Sequence, residues 1–286
     1  MNIRTWWRVA AGLGVAATVL LLPHVTAAQE QLLWVDGPAG RLRVSDGGNG
    51  GVPVVFVHAL AGDRTQWKNQ LEHLRPNRRA IAFDMRGHGE SDKPSDADYS
   101  IDGIAADIDA VVDALGINRF ILVGHSFGGG VVAAYAGANP DRVAGLFFAD
   151  PIGDQRTASM QIQMLVQMLQ SPSYQMAALT YYQAILFNAA PGVGEQVLES
   201  LNHTSQAALV QGFQSLTTFD PVAALTQFTG PMFNVISDLN DFPFSLHKIV
   251  KDLPTERMSA TSHWLQMDKP EEFNGFLDRF LLAVGY

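Results

Sequence analysis

Gly124-His125-Ser126-Phe127-Gly128 constrains this chain more than any other stretch of its 286 residues. The apolar run Phe120-Ile121-Leu122-Val123 ahead of it predicts a buried strand, and the small residues from Gly129 to Asn139 behind it predict a helix. A serine on so tight a strand-to-helix turn adopts a strained backbone, and its neighbours have no room for large side chains. Gly124 and Gly128 leave that room. Such a turn lifts the Ser126 hydroxyl out of the sheet toward the start of the next helix. There, unpaired N–H groups and the helix dipole stabilise negative charge on an oxygen. G-x-S-x-G carries this meaning only between a strand and a helix, and the flanking runs supply both.

The remainder of the chain alternates strand and helix signals. Leu32–Asp36 and Arg41–Asp46 flank Gly37-Pro38-Ala39-Gly40 and predict a hairpin. The continuous apolar run at 52–57 predicts a buried parallel strand, 80–83, 144–149 and 232–236 read as further strands, and Arg257–Ser259 starts the last. Helical spacing covers Thr65–Leu74, Ile101–Leu115 and Glu271–Val284. The expected class is α/β, a mostly parallel, doubly wound sheet. Ile152 to Asp220 breaks the alternation and is helical in composition. We therefore divide the chain into a core of 29–151 and 221–286 and a helical cap of 152–220. An insertion there lies above the strand C-terminal ends, where open α/β sheets bind ligands. Met160, Met164 and Met168 fall on one helix face, and Met176 follows. They form either a packing face or an adaptable apolar cover over a pocket.

Residues 1–28 read as a secretory signal peptide. Arg4 and Arg8 form a positive start, Val9–Leu22 is an apolar run too short for a membrane span, and Thr26-Ala27-Ala28 offers small residues for cleavage. The expected product is periplasmic or secreted, without stable membrane insertion. Loss of Arg4 and Arg8 takes the net charge from −9 to −11. This acidic balance, with no basic cluster, argues against a nucleic-acid partner. The chain has no cysteine, so it has neither a disulfide nor a thiol nucleophile. No His/Asp/Glu spacing suggests a metal site, and Gly128-Gly129-Gly130 lacks the dinucleotide pattern, so no cofactor is expected.

Four motifs together resemble the α/β-hydrolase superfamily over Leu32 to Tyr286. They are His58-Ala59-Leu60-Ala61-Gly62, similar to an H-G-x-x-G oxyanion loop; Asp84 to Ser91, similar to D-x-R-G-x-G-x-S; the Gly124–Gly128 turn; and Ser262 to Phe273, similar to the stretch that holds the family's histidine. The resemblance implies Ser126 as nucleophile and His263 as its base. Of the eight histidines, His263 alone lies in a loop between the last strand and the last helix, whereas His58, His88 and His125 belong to the other motifs. It implies Phe127 and Leu60 N–H groups as the oxyanion donors, with Ala59 where glycine is usual. The family's usual acid position falls on Asn240, flanked by Asp238 and Asp241. Some haloalkane-dehalogenase-like members place the acid at the end of the preceding strand, which here is Asp150. Both placements stay open, and anchorage at a strand end favours Asp150. Asp84 is expected to bond turn backbone and Arg86. Trp67, Phe127 and Trp264 are core residues by default, or else line the pocket. The expected activity is hydrolysis of a small, mostly apolar ester. Carbon–carbon bond hydrolysis, cofactor-free perhydrolysis and non-catalytic ligand binding are the alternatives.

Overall fold

The computed structural model describes residues 30–285, and the expected signal segment lies outside them. In chain order, β1 (Gln31–Gly37), β2 (Gly40–Gly47) and β3 (Val54–Val57) precede α1 (Lys68–Leu74). β4 (Ala80–Phe83), α2 (Ile101–Ala114), β5 (Phe120–His125), α3 (Phe127–Ala138) and β6 (Val143–Ala149) follow. Then come four successive helices, α4 (Ser159–Leu169), α5 (Tyr174–Ile185), α6 (Val193–Asn202) and α7 (Gln206–Ser215). The chain closes with α8 (Pro221–Leu225), β7 (Met232–Ser237), α9 (Leu246–Ile249), β8 (Thr255–Met258), α10 (Leu265–Asp268) and α11 (Pro270–Ala283).

The sheet order is β1-β2-β4-β3-β5-β6-β7-β8. The β1–β2 and β2–β4 pairs are antiparallel, and every other pair is parallel. β3 to β6 are buried along their whole length because helices cover both faces. Side chains alternate between those faces. Val55, Val57, Ile81, Phe83 and Leu122 pack with α2 and α3 residues, whereas Val54, Phe56, Ala82, Ile121 and Val123 pack with α1 and α11 residues. Each fully buried side chain of this kind stabilises the fold by about 1.5–3 kcal/mol before entropy is counted.

Local chemistry sets the helix starts. Ser100 Oγ accepts the Gly103 N–H at 3.1 Å ahead of α2, and Asp220 Oδ1 accepts the Val222 and Ala223 N–H groups ahead of α8. Two expectations change. Met160, Met164 and Met168 are 72%, 61% and 52% exposed, so they neither pack inward nor cover a pocket. The inward stripe of α4 is Ile162, Leu165, Val166 and Leu169, at helical spacing, and the methionines fall on the opposite side. Asp84 does not pair with Arg86. Its carboxylate accepts from Arg64 at 2.6 Å, and Arg86 reaches across to Asp107 on α2 at 2.6 Å. Arg64 bonds Asp84 and Glu90, while Arg86 bonds Asp107 and the Asp98 carbonyl.

Candidate active site

Ser126 sits between β5 and α3 with φ 54° and ψ −117°. A non-glycine residue holds such a backbone only where its surroundings force it. Here the Ser126 N–H donates to the Ala149 carbonyl at 3.0 Å, and the Ser126 carbonyl accepts from Gly129 and Ile152 N–H groups. The flanking glycines are sterically required. A Cβ at Gly124 would sit 2.5 Å from the Gly128 carbonyl oxygen, and one at Gly128 would sit 2.6 Å from that of Val57.

Asp150, at the end of β6, also has positive φ (44°) and is fully buried. Its Oδ2 lies 2.6 Å from His263 Nδ1. Burial acts to raise the Asp150 pKa. The hydrogen bond and charge of His263, with the Ser237 N–H and hydroxyl at 2.8 Å each, outweigh burial and hold the carboxyl below its ordinary value. An ionised carboxylate only accepts, so Nδ1 of His263 donates to it, and in the neutral ring Nε2 is then the acceptor.

Besides Asp150, two contacts from separate parts of the chain hold His263, and a third holds its loop. Burial lowers the His125 pKa to about 3, so that ring is neutral. Its Nε2–H donates to the His263 carbonyl at 2.8 Å, and its Nδ1 accepts from Gln266 at 3.2 Å. The His263 N–H donates to the Ile185 carbonyl at the end of α5 at 3.2 Å. Asp268 accepts the Ser262 N–H and hydroxyl at 2.7 Å each and the Ala190 N–H at 2.7 Å, tying the histidine loop to the segment after α5.

Phe127 is the first residue of α3, where an N–H has no partner within the helix. The Leu60 N–H has no protein acceptor among the described residues. Ala59 has no positive φ; the left-handed residue of that loop is Ala61 (φ 59°), so alanine at 59 costs the loop nothing in backbone strain. Tyr182 of α5 donates its hydroxyl to the Leu60 carbonyl at 2.7 Å in a buried contact. Burial and the neighbouring Tyr181 raise its pKa, so it stays a donor.

Ser126, Phe127, Leu60, His263, Trp264 and Tyr181 are among the residues around one narrow cavity, which offers about 40 Å³ of space for water centres. Trp67 is absent from its lining and packs below, against Phe56, His125 and Phe273. Asp238 and Asp241 bond elsewhere. Asp238 accepts from Ser259 and Ala260, and Asp241 from Arg257 and Lys248. Asn240 bridges the Pro151 carbonyl and the Ser245 hydroxyl. Sequence reading missed Ser237, Tyr182 and Asp268 as supports of this site. Ser237 and Tyr182 reach their partners across 87 and 122 positions, and Asp268, although it lies within the Ser262 to Phe273 stretch, reaches the Ala190 N–H across 78, so only the pairing of β6 with β7 could have hinted at Ser237. Among the described residues, no three His, Asp or Glu side chains could hold a metal ion, and no helix is long and apolar enough to cross a membrane.

Known proteins resemble this chain. A non-heme chloroperoxidase of Streptomyces lividans is 43% identical over 116 residues, covering 37% of this chain and 42% of that protein. Epoxide hydrolase 4 of Mus musculus is 23% identical over 272 residues, covering 83% of this chain and 75% of that one. The solved structure of a thermophilic esterase from Thermogutta terrifontis superposes with a TM-score of 0.76 at 22% identity, over 90% of this chain and all of that one. This chain thus spans less than half the length of the Streptomyces relative and three quarters of the mouse one. The family profile described as alpha/beta hydrolase fold matches residues 52–197, about half of the chain. On that match and this architecture, the chain belongs to the α/β-hydrolase fold family.

Proposed function

We propose that the chain is a serine hydrolase of small, mostly apolar carboxylic esters. The observation that carries this reading is the bond between His263 Nδ1 and the ionised Asp150, beside a serine whose strained turn opens on the same cavity. In this reading His263 Nε2 takes the Ser126 proton as Oγ attacks the ester carbonyl. Phe127 and Leu60 N–H groups receive the charge that develops on the carbonyl oxygen. The tetrahedral centre collapses, and the imidazolium returns its proton to the departing alcohol. Water activated by His263 then attacks the acyl-Ser126 ester, releasing the acid and restoring Ser126. Asp150 stabilises the transient imidazolium throughout.

Ser126 counts against haloalkane dehalogenase and epoxide hydrolase chemistry, which places an aspartate at this turn. Perhydrolysis uses the same three side chains, with peroxide in place of water, and the likeness to a chloroperoxidase favours it as the second reading. We further propose export, with an N-terminus at Gln29; mass spectrometry of protein from its native secretion route checks this. The test of the main reading is Ser126→Ala. It should fold, lose fluorophosphonate labelling and lose p-nitrophenyl ester turnover by about 10⁴-fold or more. Turnover at the unsubstituted rate sinks the proposal.

A further inference from the structure

A second compartment adjoins the cavity at Ser126. It offers about 340 Å³ of space for water centres, between the start of α4 and the helices α5 and α7. Gln155, Gln161, Ile162 and Leu165 line it on the α4 side. The two spaces share a wall made of Ile152, Tyr181, Phe213 and Leu216. The centre of that wall is an edge-to-face pair, Tyr181 on Phe213, with ring centroids 5.0 Å apart and planes at 83°. The space over Ser126 holds little more than a few waters, so an ester chain longer than a few carbons cannot lie there. The outer space has room for one.

The outer compartment is lined by apolar side chains together with the neutral polar Gln155, Gln161 and Tyr181. None of its lining residues is charged. Residues 157–194, which supply α4 and α5, contain no Asp, Glu, Lys, Arg or His, in a chain whose charged content is 16%. At its base Arg156 pairs with Asp154 at 2.6 Å and with Asp220 at 2.8 Å, which leaves one net negative charge there. A charged chain entering here would lose water without gaining a charged partner, whereas a neutral apolar chain would gain by leaving water.

We propose that the outer compartment binds the apolar chain of a neutral ester, and that the Tyr181–Phe213 pair is the partition that sets how long a chain is accepted. The proposal rests on the serine-hydrolase reading of the adjoining site. A short chain stays on the Ser126 side of the partition. A longer one displaces the aromatic pair and lies along Ile162 and Leu165, which repays part of the displacement.

The experiment uses two neutral substrate series on the full chain. In p-nitrophenyl esters the acyl chain grows from acetate to octanoate, and in alkyl acetates the alcohol chain grows from methyl to octyl. The readout is the ratio of kcat/KM for the longest member to that for the shortest. Tyr181→Ala should raise this ratio by about tenfold, by removing the partition. Leu165→Trp should lower it by about tenfold, because it displaces several methylenes from apolar contact. Gln161→Trp, at an exposed position on the same lining, should lower it in the same sense and guards against misfolding of the Leu165 variant. Whichever series responds identifies the half of the ester that lies in the compartment. If neither series shifts in any variant while a fluorophosphonate still labels the unsubstituted protein, the partition is overturned and the serine-hydrolase reading stands. If that protein is not labelled at all, the serine-hydrolase reading itself fails.

Discussion

Below the cavity, the groups expected to carry chemistry are held by polar bonds to buried backbone. Asp150 is gripped by Ser237 and His263, and the His263 carbonyl by His125. The Ser126 peptide is gripped by Ala149, Gly129 and Ile152. Above it, α4, α5 and α7 of the inserted segment carry no charged residue and contribute mostly shape, with Met160, Met164 and Met168 turned outward to solvent. The difference is one of function as much as of material. Dipoles fixed in a dry sheet end cost no reorganisation when charge develops on a substrate, which is the condition for a fast chemical step. An apolar cap discriminates by size, and one methylene more or less changes affinity only modestly. Changes on the sheet side should therefore alter rate, and changes on the cap side should alter which substrate is accepted. α5 crosses this division. Its Tyr182 bonds the Leu60 carbonyl, and its Ile185 carbonyl accepts the His263 N–H, so the cap is stitched to both sides of the site.

The comparison breaks most visibly at Asp150. Asp150→Asn should lower kcat by about 10⁴ with KM changed little, because an amide stabilises no imidazolium and favours the wrong tautomer of His263. Asp238→Asn and Asp241→Asn should change kcat by no more than a few-fold, since both side chains bond only loop partners. Equal losses from all three substitutions would remove the distinction between sheet end and loop.

Acid should weaken the sheet side specifically. Burial lowers His88 and His125 to about 3, and it also lowers His58, whereas an unfolded histidine titrates near 6.5. Between those values the unfolded chain binds more protons than the folded one. Stability is therefore complete above about pH 6.5 and declines as pH falls toward 3, by up to about 1.4 kcal/mol per pH unit for each such ring. Asp150 adds to the loss only lower down, because its contribution is present above the unfolded value near 3.9 and disappears as pH falls through its depressed folded value. Urea midpoints at pH 7, 6, 5 and 4 measure this. A midpoint that stays level from 7 to 5 contradicts the buried neutral rings.

The smallest effect belongs to the stitch itself. Tyr182→Phe removes one neutral hydrogen bond, which is worth about 0.5–1.5 kcal/mol, so kcat should fall by about two- to tenfold. If Tyr182 acts by orienting the Leu60 peptide, the loss should appear in kcat and in the affinity of a boronic acid that mimics the tetrahedral intermediate, with KM unchanged. A change in KM alone would make Tyr182 a packing residue and restore a clean division between core and cap.

Sequence alone determined the α/β class, the strand–turn–helix around Ser126 and the family resemblance. These are local: buried strands announce themselves by continuous apolar runs, and a turn too tight for a side chain announces itself by Gly124 and Gly128. The loop and helix boundaries followed to within a few residues for the same reason, as at α2, read as Ile101–Leu115 and observed as Ile101–Ala114. The outward turn of Met160, Met164 and Met168 was not legible. A methionine row at helical spacing looks the same whether it faces a core or water, and the competing stripe of Ile162, Leu165, Val166 and Leu169 is decided by what α4 packs against. The same holds for the charges. Arg86 lies two positions from Asp84 and Arg64 twenty, yet the tertiary structure selects Arg64 as the partner.

Tertiary structure alone decided which carboxylate meets His263. Asp150, Asp238 and Asp241 are alike as residues, and 113 positions separate Asp150 from the histidine. The pairing of β6 with β7 brings Ser237 against Asp150, and the loop after β8 drops His263 onto the same carboxylate, while Asp238 and Asp241 turn outward to other partners. A strand fixes where its ends lie only once its neighbours in the sheet are known. The chemistry of each residue is therefore written in the chain, and the distances that make three of them one site come from the sheet.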